Sequence, residues 1–111
     1  MQLGQFSVSL TVKNITKSKE FYETLGFKAN PECGSIKDKW LVLQKDNTVI
    51  GLFEGMFESN ILTFNPTDVR AIEQHLKNHD IAIDTPTQGK SGPTHCLLKD
   101  PDGNTIMFDQ F

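Results

Sequence analysis

The chain lacks any apolar run near the roughly 20 residues that a membrane-spanning helix needs, so no membrane span is expected. Its first residues, Met1-Gln2-Leu3-Gly4-Gln5, carry neither the basic start nor the apolar stretch of a secretory signal, and a cytoplasmic protein is expected. Cysteine is scarce. Cys33 and Cys96 stand alone without CxxC or CxxxC spacing, which reads as one small buried hydrophobe and one loop thiol, not a zinc site or a disulfide framework. Basic residues are outnumbered, 11 Lys and Arg against 14 Asp and Glu for a net charge of −3, and they form no stripe with stacking aromatics. No nucleic-acid partner is expected. The densest charge run, from Lys13 to Glu20, reads as a solvated helix face.

What remains suits a single domain: 111 residues, 37% of them hydrophobic, are enough to bury a core without staples. The informative pattern is a duplication. Residues 7–12, Ser-Val-Ser-Leu-Thr-Val, alternate with the period of a half-buried strand. A helix is expected next, with Ile15, Phe21, Tyr22 and Leu25 on one face and Gly26 as its stop. A shift of 54 residues carries Ile15 to Val69, Tyr22 to Leu76 and Phe27 to Ile81. It also finds a strand at residues 61–64 and a helix that Thr67 would cap. Short strands are expected at 27–29 and 81–83. Each half then closes in a hairpin, residues 40–45 with 48–54 and 94–99 with 104–110, the second across the Asp100-Pro101-Asp102-Gly103 turn. The expected fold is therefore α+β, one domain over 1–111 of two βαβββ modules, about 1–56 and 57–111.

The stretch Ser7-Val8-Ser9-Leu10-Thr11-Val12-Lys13-Asn14, followed by Phe21-Tyr22-Glu23-Thr24-Leu25-Gly26-Phe27, resembles the opening of the glyoxalase, bleomycin-resistance and extradiol-dioxygenase superfamily, the vicinal oxygen chelate proteins. The closing Asp100-Pro101-Asp102-Gly103-Asn104 is similar to that superfamily's DPDGN signature. Residues 49–57 look like a glyoxalase-like subgroup of unassigned activity. The resemblance implies curved mixed sheets forming a cleft, which in the enzymes holds a divalent metal chelating vicinal substrate oxygens. Its four ligand positions, in the first and last strands of each module, fall on Ser7, Gly51, Ile61 and Met107. None of these is a usual metal donor, so no metal and no cofactor are expected.

Strand parity separates the two faces of each sheet. Val8, Leu10, Val12, Leu41, Leu43, Ile50, Leu52, Leu62, Phe64, His95, Leu97, Ile106 and Phe108 are assigned to the helix side. Ser7, Ser9, Thr11, Trp40, Val42, Gly51, Phe53, Ile61, Thr63, Cys96, Met107 and Asp109 are assigned to the concave side. That second set suits a neutral or cationic ligand with a flat apolar surface. The reading is a metal-independent binder of a small amphipathic or aromatic compound, with Ser7, Trp40, Gly51, Phe53, Ile61, Met107 and Asp109 as ligand-binding residues. Trp40 would be a stacking wall and Asp109 a polar anchor. The alternative is a lyase, isomerase or dioxygenase with displaced donors, Glu54, His95 and Asp109. A protein-interaction module is a third reading.

His75 and His79, at i, i+4, lack the glutamate of a zincin helix and read as surface histidines. The 87–93 loop, rich in Gly and Ser, is expected to be a mobile cover. A homodimer is expected from the resemblance and from the linker 55–60, where Met56 and Phe57 would be exposed in a lone chain.

Overall fold

A computed structural model describes all 111 residues. The chain divides into two units: Ser7–Asn60, here the first module, and Ile61–Phe111 together with Met1–Phe6, the second. The first contains most of β1 (Gln5–Val12), then α1 (Ile15–Thr24), β2 (Lys28–Ser35), β3 (Trp40–Lys45) and β4 (Thr48–Glu54). The second contains β5 (Ile61–Asn65), α2 (Val69–Asn78), β6 (Thr94–Lys99) and β7 (Thr105–Gln110).

Within the first module the strands lie in the order β2-β3-β4-β1, with β1 parallel to β4 and the remaining pairs antiparallel. In the second, β7 lies between β5, to which it is parallel, and β6, to which it is antiparallel. The strand expected at 81–83 does not form. In its place Thr85 makes a single bridge to Leu97, with N–H···O bonds of 3.1 and 3.0 Å, while the Ile83 side chain goes to the core.

Each core lies between a helix and one sheet face. Ile15, Leu41, Leu43, Ile50 and Leu52 form the first, with Val8, Leu10, Val12 and Tyr22 packed against them. Val69, Ile72, Cys96, Leu98 and Phe108 form the second, with Phe64, Leu76 and Ile106. Two expectations change here. Phe21 and Leu25 are 61% and 54% exposed, because α1 buries the stripe running through Ile15 and Tyr22, and these two residues sit on the neighbouring stripe. The phase of β6 is also inverted. Cys96 pairs with Phe108 on the helix side, and His95 and Leu97 occupy the other face. Adjacent Leu97 and Leu98 made both parities apolar, and only pairing with β7 fixes the register.

The helix termini show the duplication most directly. Asn14 caps α1 by accepting from Lys17 N, and Asp68, 54 residues on, caps α2 by accepting from Ala71 N, each at 3.1 Å. The second cap is thus Asp68 and not Thr67. Both helices end by bonding two successive N–H groups back: Gly26 and Phe27 to Glu23 and Tyr22, then Asp80 and Ile81 to Lys77 and Leu76. Gly26 and Asp80 take positive φ of 102° and 57° to make this turn.

A second tie joins each helix start to the last strand of its own module. Glu54 Oε1 accepts from Ile15 N at 3.1 Å, and Gln110 Oε1 accepts from Val69 N at 2.9 Å. Each satisfies a backbone donor that has no partner within the helix. Glu54→Ala and Gln110→Ala should each cost about 0.5–2 kcal/mol of stability, read as a lowered urea midpoint. An unchanged midpoint would mean that water replaces the tie at no cost.

Candidate functional site

On the face of the first module opposite α1, the β3–β4 register puts Trp40 directly across from Phe53. Their rings are nearly parallel, 8° apart, with centroids separated by 6.2 Å. That is an offset stack. Phe57, just beyond β4, tilts against Phe53 with a centroid distance of 5.1 Å. The Phe57 carbonyl accepts from Thr11 Oγ1, and Thr11 N donates to Asn60 Oδ1, both at 2.9 Å, so the linker is folded back onto β1. Phe57 is consequently half-buried, not largely exposed, whereas Met56 is 50% exposed as expected.

Gly51 makes room for this aromatic shelf, and Gly34 for the Trp40 backbone carbonyl beside it. A Cβ on Gly51 would lie 2.6 Å from Phe53 Cε2, and one on Gly34 would lie 2.8 Å from Trp40 Cδ2. Gly51 is flanked in register by Ser9 and Val42. Ser7 is half-buried at the far end of the same β1 face.

The corresponding face of the second module carries Ile61, Thr63, Met107 and Asp109, and also Leu97 and His95. Thr63 and Leu97 flank Met107, and His95 lies directly opposite Asp109. The Asp109 carbonyl accepts from Asn65 Nδ2 at 3.0 Å. Its half-buried carboxyl is held above the usual carboxylate range by burial, an effect that nearby His95 partly offsets. Of the expected residues, Ser7, Trp40, Gly51 and Phe53 thus share the first module's face, and Ile61, Met107 and Asp109 the second's.

Phe57 was missed on the first face, and His95 and Leu97, both assigned to the helix side, stand on the second. For His95 the repeat gave no signal, since the shift of 54 carries Trp40 to Thr94. Only the observed registers set His95 where Trp40 stands and Asp109 where Phe53 stands, so the stacked aromatic pair and the imidazole–carboxylate pair occupy equivalent ladder positions.

Other candidates have structural employment. Glu54 is occupied at the start of α1, with Oε2 3.8 Å from Lys39 Nζ. Burial and the nearby Glu73 push the Cys96 thiol up to about 11, which leaves it a poor nucleophile. His75 and His79 are exposed, and His79 Nδ1 lies 2.9 Å from the His75 carbonyl.

The 87–93 loop is fastened, not free. The guanidinium of Arg70 donates to the carbonyls of Gln88, Gly89, Ser91 and Gly92 at 2.7–3.1 Å. Thr87 donates twice to Glu73, through N and Oγ1, each at 2.7 Å. Burial alone would raise the Glu73 carboxyl, but these bonds and Lys77 outweigh it, and the group titrates below its ordinary value.

A profile of the Glyoxalase/Bleomycin resistance protein/Dioxygenase superfamily matches residues 3–108. The chain belongs to that superfamily. Solved structures agree in fold. A superfamily member from Vibrio splendidus 12B01 is 18% identical with a TM-score of 0.75, covering 96% of this chain and 98% of that one. A Legionella pneumophila protein named as an NAD-dependent benzaldehyde dehydrogenase is 22% identical with a TM-score of 0.76, covering 96% and 98%. Methylmalonyl-CoA epimerase from Mycobacterium tuberculosis is 15% identical with a TM-score of 0.73, covering 99% and 90%. No curated protein matches the sequence.

The superfamily's divalent metal does not fit these residues. Where the first module would present a donor at Gly51, the Phe53 ring fills the space of a side chain. Ile61 is 7% exposed and apolar, Ser7 has only a hydroxyl, and Met107 has a thioether. No three His, Cys, Asp or Glu side chains come together anywhere in the chain.

Two outcomes follow from this geometry. Gly51→Ala should displace the Phe53 ring, change Trp40 emission and cost about 1–3 kcal/mol, as overpacking does. Unchanged emission would mean that the ring pair does not depend on the glycine. Asp109→Asn should stabilise the protein at neutral pH. A carboxyl raised in the folded state gives its full support below its unfolded value, about pH 4, and that support is lost as pH rises through the folded value. Denaturant unfolding at two pH values reads this, with the advantage of the variant present at pH 7 and absent in acid. Glu73 has the opposite sign, losing its contribution as pH falls through its lowered value.

Proposed function

We propose that this superfamily member is a metal-independent small-molecule binder, taking a flat aromatic or amphipathic compound on the shelf of Trp40, Phe53 and Phe57. The observation that carries the reading is the Gly51 contact. The position where the superfamily's enzymes place a metal donor is given over to an aromatic ring, which exchanges a coordinating surface for a stacking one. All three rings are half-buried, so each keeps accessible area while neighbours hold it in place. Ser9 and Thr11, beside Gly51 and Phe53 in register, put hydroxyl-bearing residues next to that area. An aromatic surface with a few placed polar groups is the usual make-up of a small-molecule site.

Trp40 is the chain's single tryptophan, so its emission reports on the shelf alone. Titration with planar aromatic compounds, with and without a chelator, should give the same saturable quenching in both cases. Trp40→Phe, followed through ligand absorbance, should keep most of the affinity, and Trp40→Ala should lose about 1–2 kcal/mol. Binding abolished by the chelator, or saturable binding that leaves Trp40 emission unchanged, would overturn the proposal.

A further inference from the structure

The pair His95 and Asp109 is used by neither the fold nor the aromatic shelf. At the equivalent ladder positions of the first module stand two aromatic rings, so the sheet geometry does not require a carboxylate there. Half-burying one removes water from a charge, which is unfavourable unless a donor replaces that water. None of the chain's own cations forms an ion pair with Asp109. Arg70 holds the carbonyls of Gln88, Gly89, Ser91 and Gly92, Lys77 lies 3.7 Å from Glu73, and Lys99 lies 3.4 Å from Asp84. Outside the ladder, the hydrogen bond of Asp109 goes to its backbone carbonyl, from Asn65. Next to the pair on the same face comes an apolar one, Leu97 opposite Met107. The surface therefore reads carboxylate and imidazole at one end and two aliphatic side chains at the other.

We propose that this surface is a binding site for an organic cation bearing N–H donors, an amidinium or primary ammonium group on a small apolar body. The cation donates to the Asp109 carboxylate, the His95 ring flanks it from across the ladder, and the apolar body lies along Leu97 and Met107. An amidinium suits the acceptor best, since two parallel N–H groups match two carboxylate oxygens. A divalent metal does not, because one carboxylate and one imidazole leave most of its coordination unfilled.

The test uses the full chain, backbone amide NMR, and a matched pair of probes. Benzamidine is planar and cationic, and benzamide is its neutral counterpart. Benzamidine should shift the amides of His95, Leu97, Met107 and Asp109 saturably, and benzamide should not. Asp109→Asn, a variant expected to fold at least as stably at neutral pH, should weaken benzamidine binding about tenfold or more. His95→Gln should weaken it by a smaller factor. Four results would overturn the site: no saturable shift, shifts confined to Trp40, Phe53 and Phe57, equal binding of both probes, or unchanged binding in Asp109→Asn. Trp40 emission reads the shelf separately, so the two proposals fail independently.

Discussion

Parallel pairing between the first and last strands of one module is the constraint on which the rest depends. β1 pairs with β4 and β5 with β7 in this way. Parallel neighbours cannot be joined by a tight turn, so the chain must leave the sheet, cross one face and return. The crossing segment is the helix, and its presence decides which parity of every strand is buried. It also brings the end of the last strand to the start of the helix. Glu54 therefore meets Ile15 N and Gln110 meets Val69 N, although each pair is separated by about forty residues.

The other sheet face is free of that duty and carries the divergence between the modules. Equivalent rungs hold Trp40 and Phe53 in one and His95 and Asp109 in the other. Backbone hydrogen bonds set the spacing of a rung whatever its side chains, so one scaffold presents a stacking surface and a charged one at matching places. None of the superfamily's four ligand positions carries a usual metal donor. The donors would have to occupy Ser7, Gly51, Ile61 and Met107, and at Gly51 an aromatic ring fills that space.

Arg70 gives the second module its own stiffening. A guanidinium has five donors in a fixed plane, and here its N–H groups reach four successive-turn carbonyls, which gathers an irregular loop against α2. Glu73, one helical turn on, holds Thr87 at the start of that loop. Composition marked the segment as mobile because Gly and Ser dominate it. The fastening comes from a residue about twenty positions away, which local composition does not register.

The sequence by itself determined the duplication, the superfamily, the two helices, the closing hairpins, and the core face of the first module. All of these rest on local signals: alternation, turn residues and a recurring order. It also determined that the superfamily's ligand positions lack donors, since residue identity alone settles that. Tertiary structure decided the phase of β6, where Cys96, Leu97 and Leu98 are apolar on both parities and only the rung with Phe108 chooses between them. It decided that 81–83 would not be a strand, since Ile83 packs into the core while only Thr85 bridges to β6. It turned Phe21 and Leu25 outward and Phe57 inward. It placed His95 across from Asp109. Each of these depends on which distant backbone supplies a hydrogen bond or a covering surface, and a one-dimensional pattern does not carry that information.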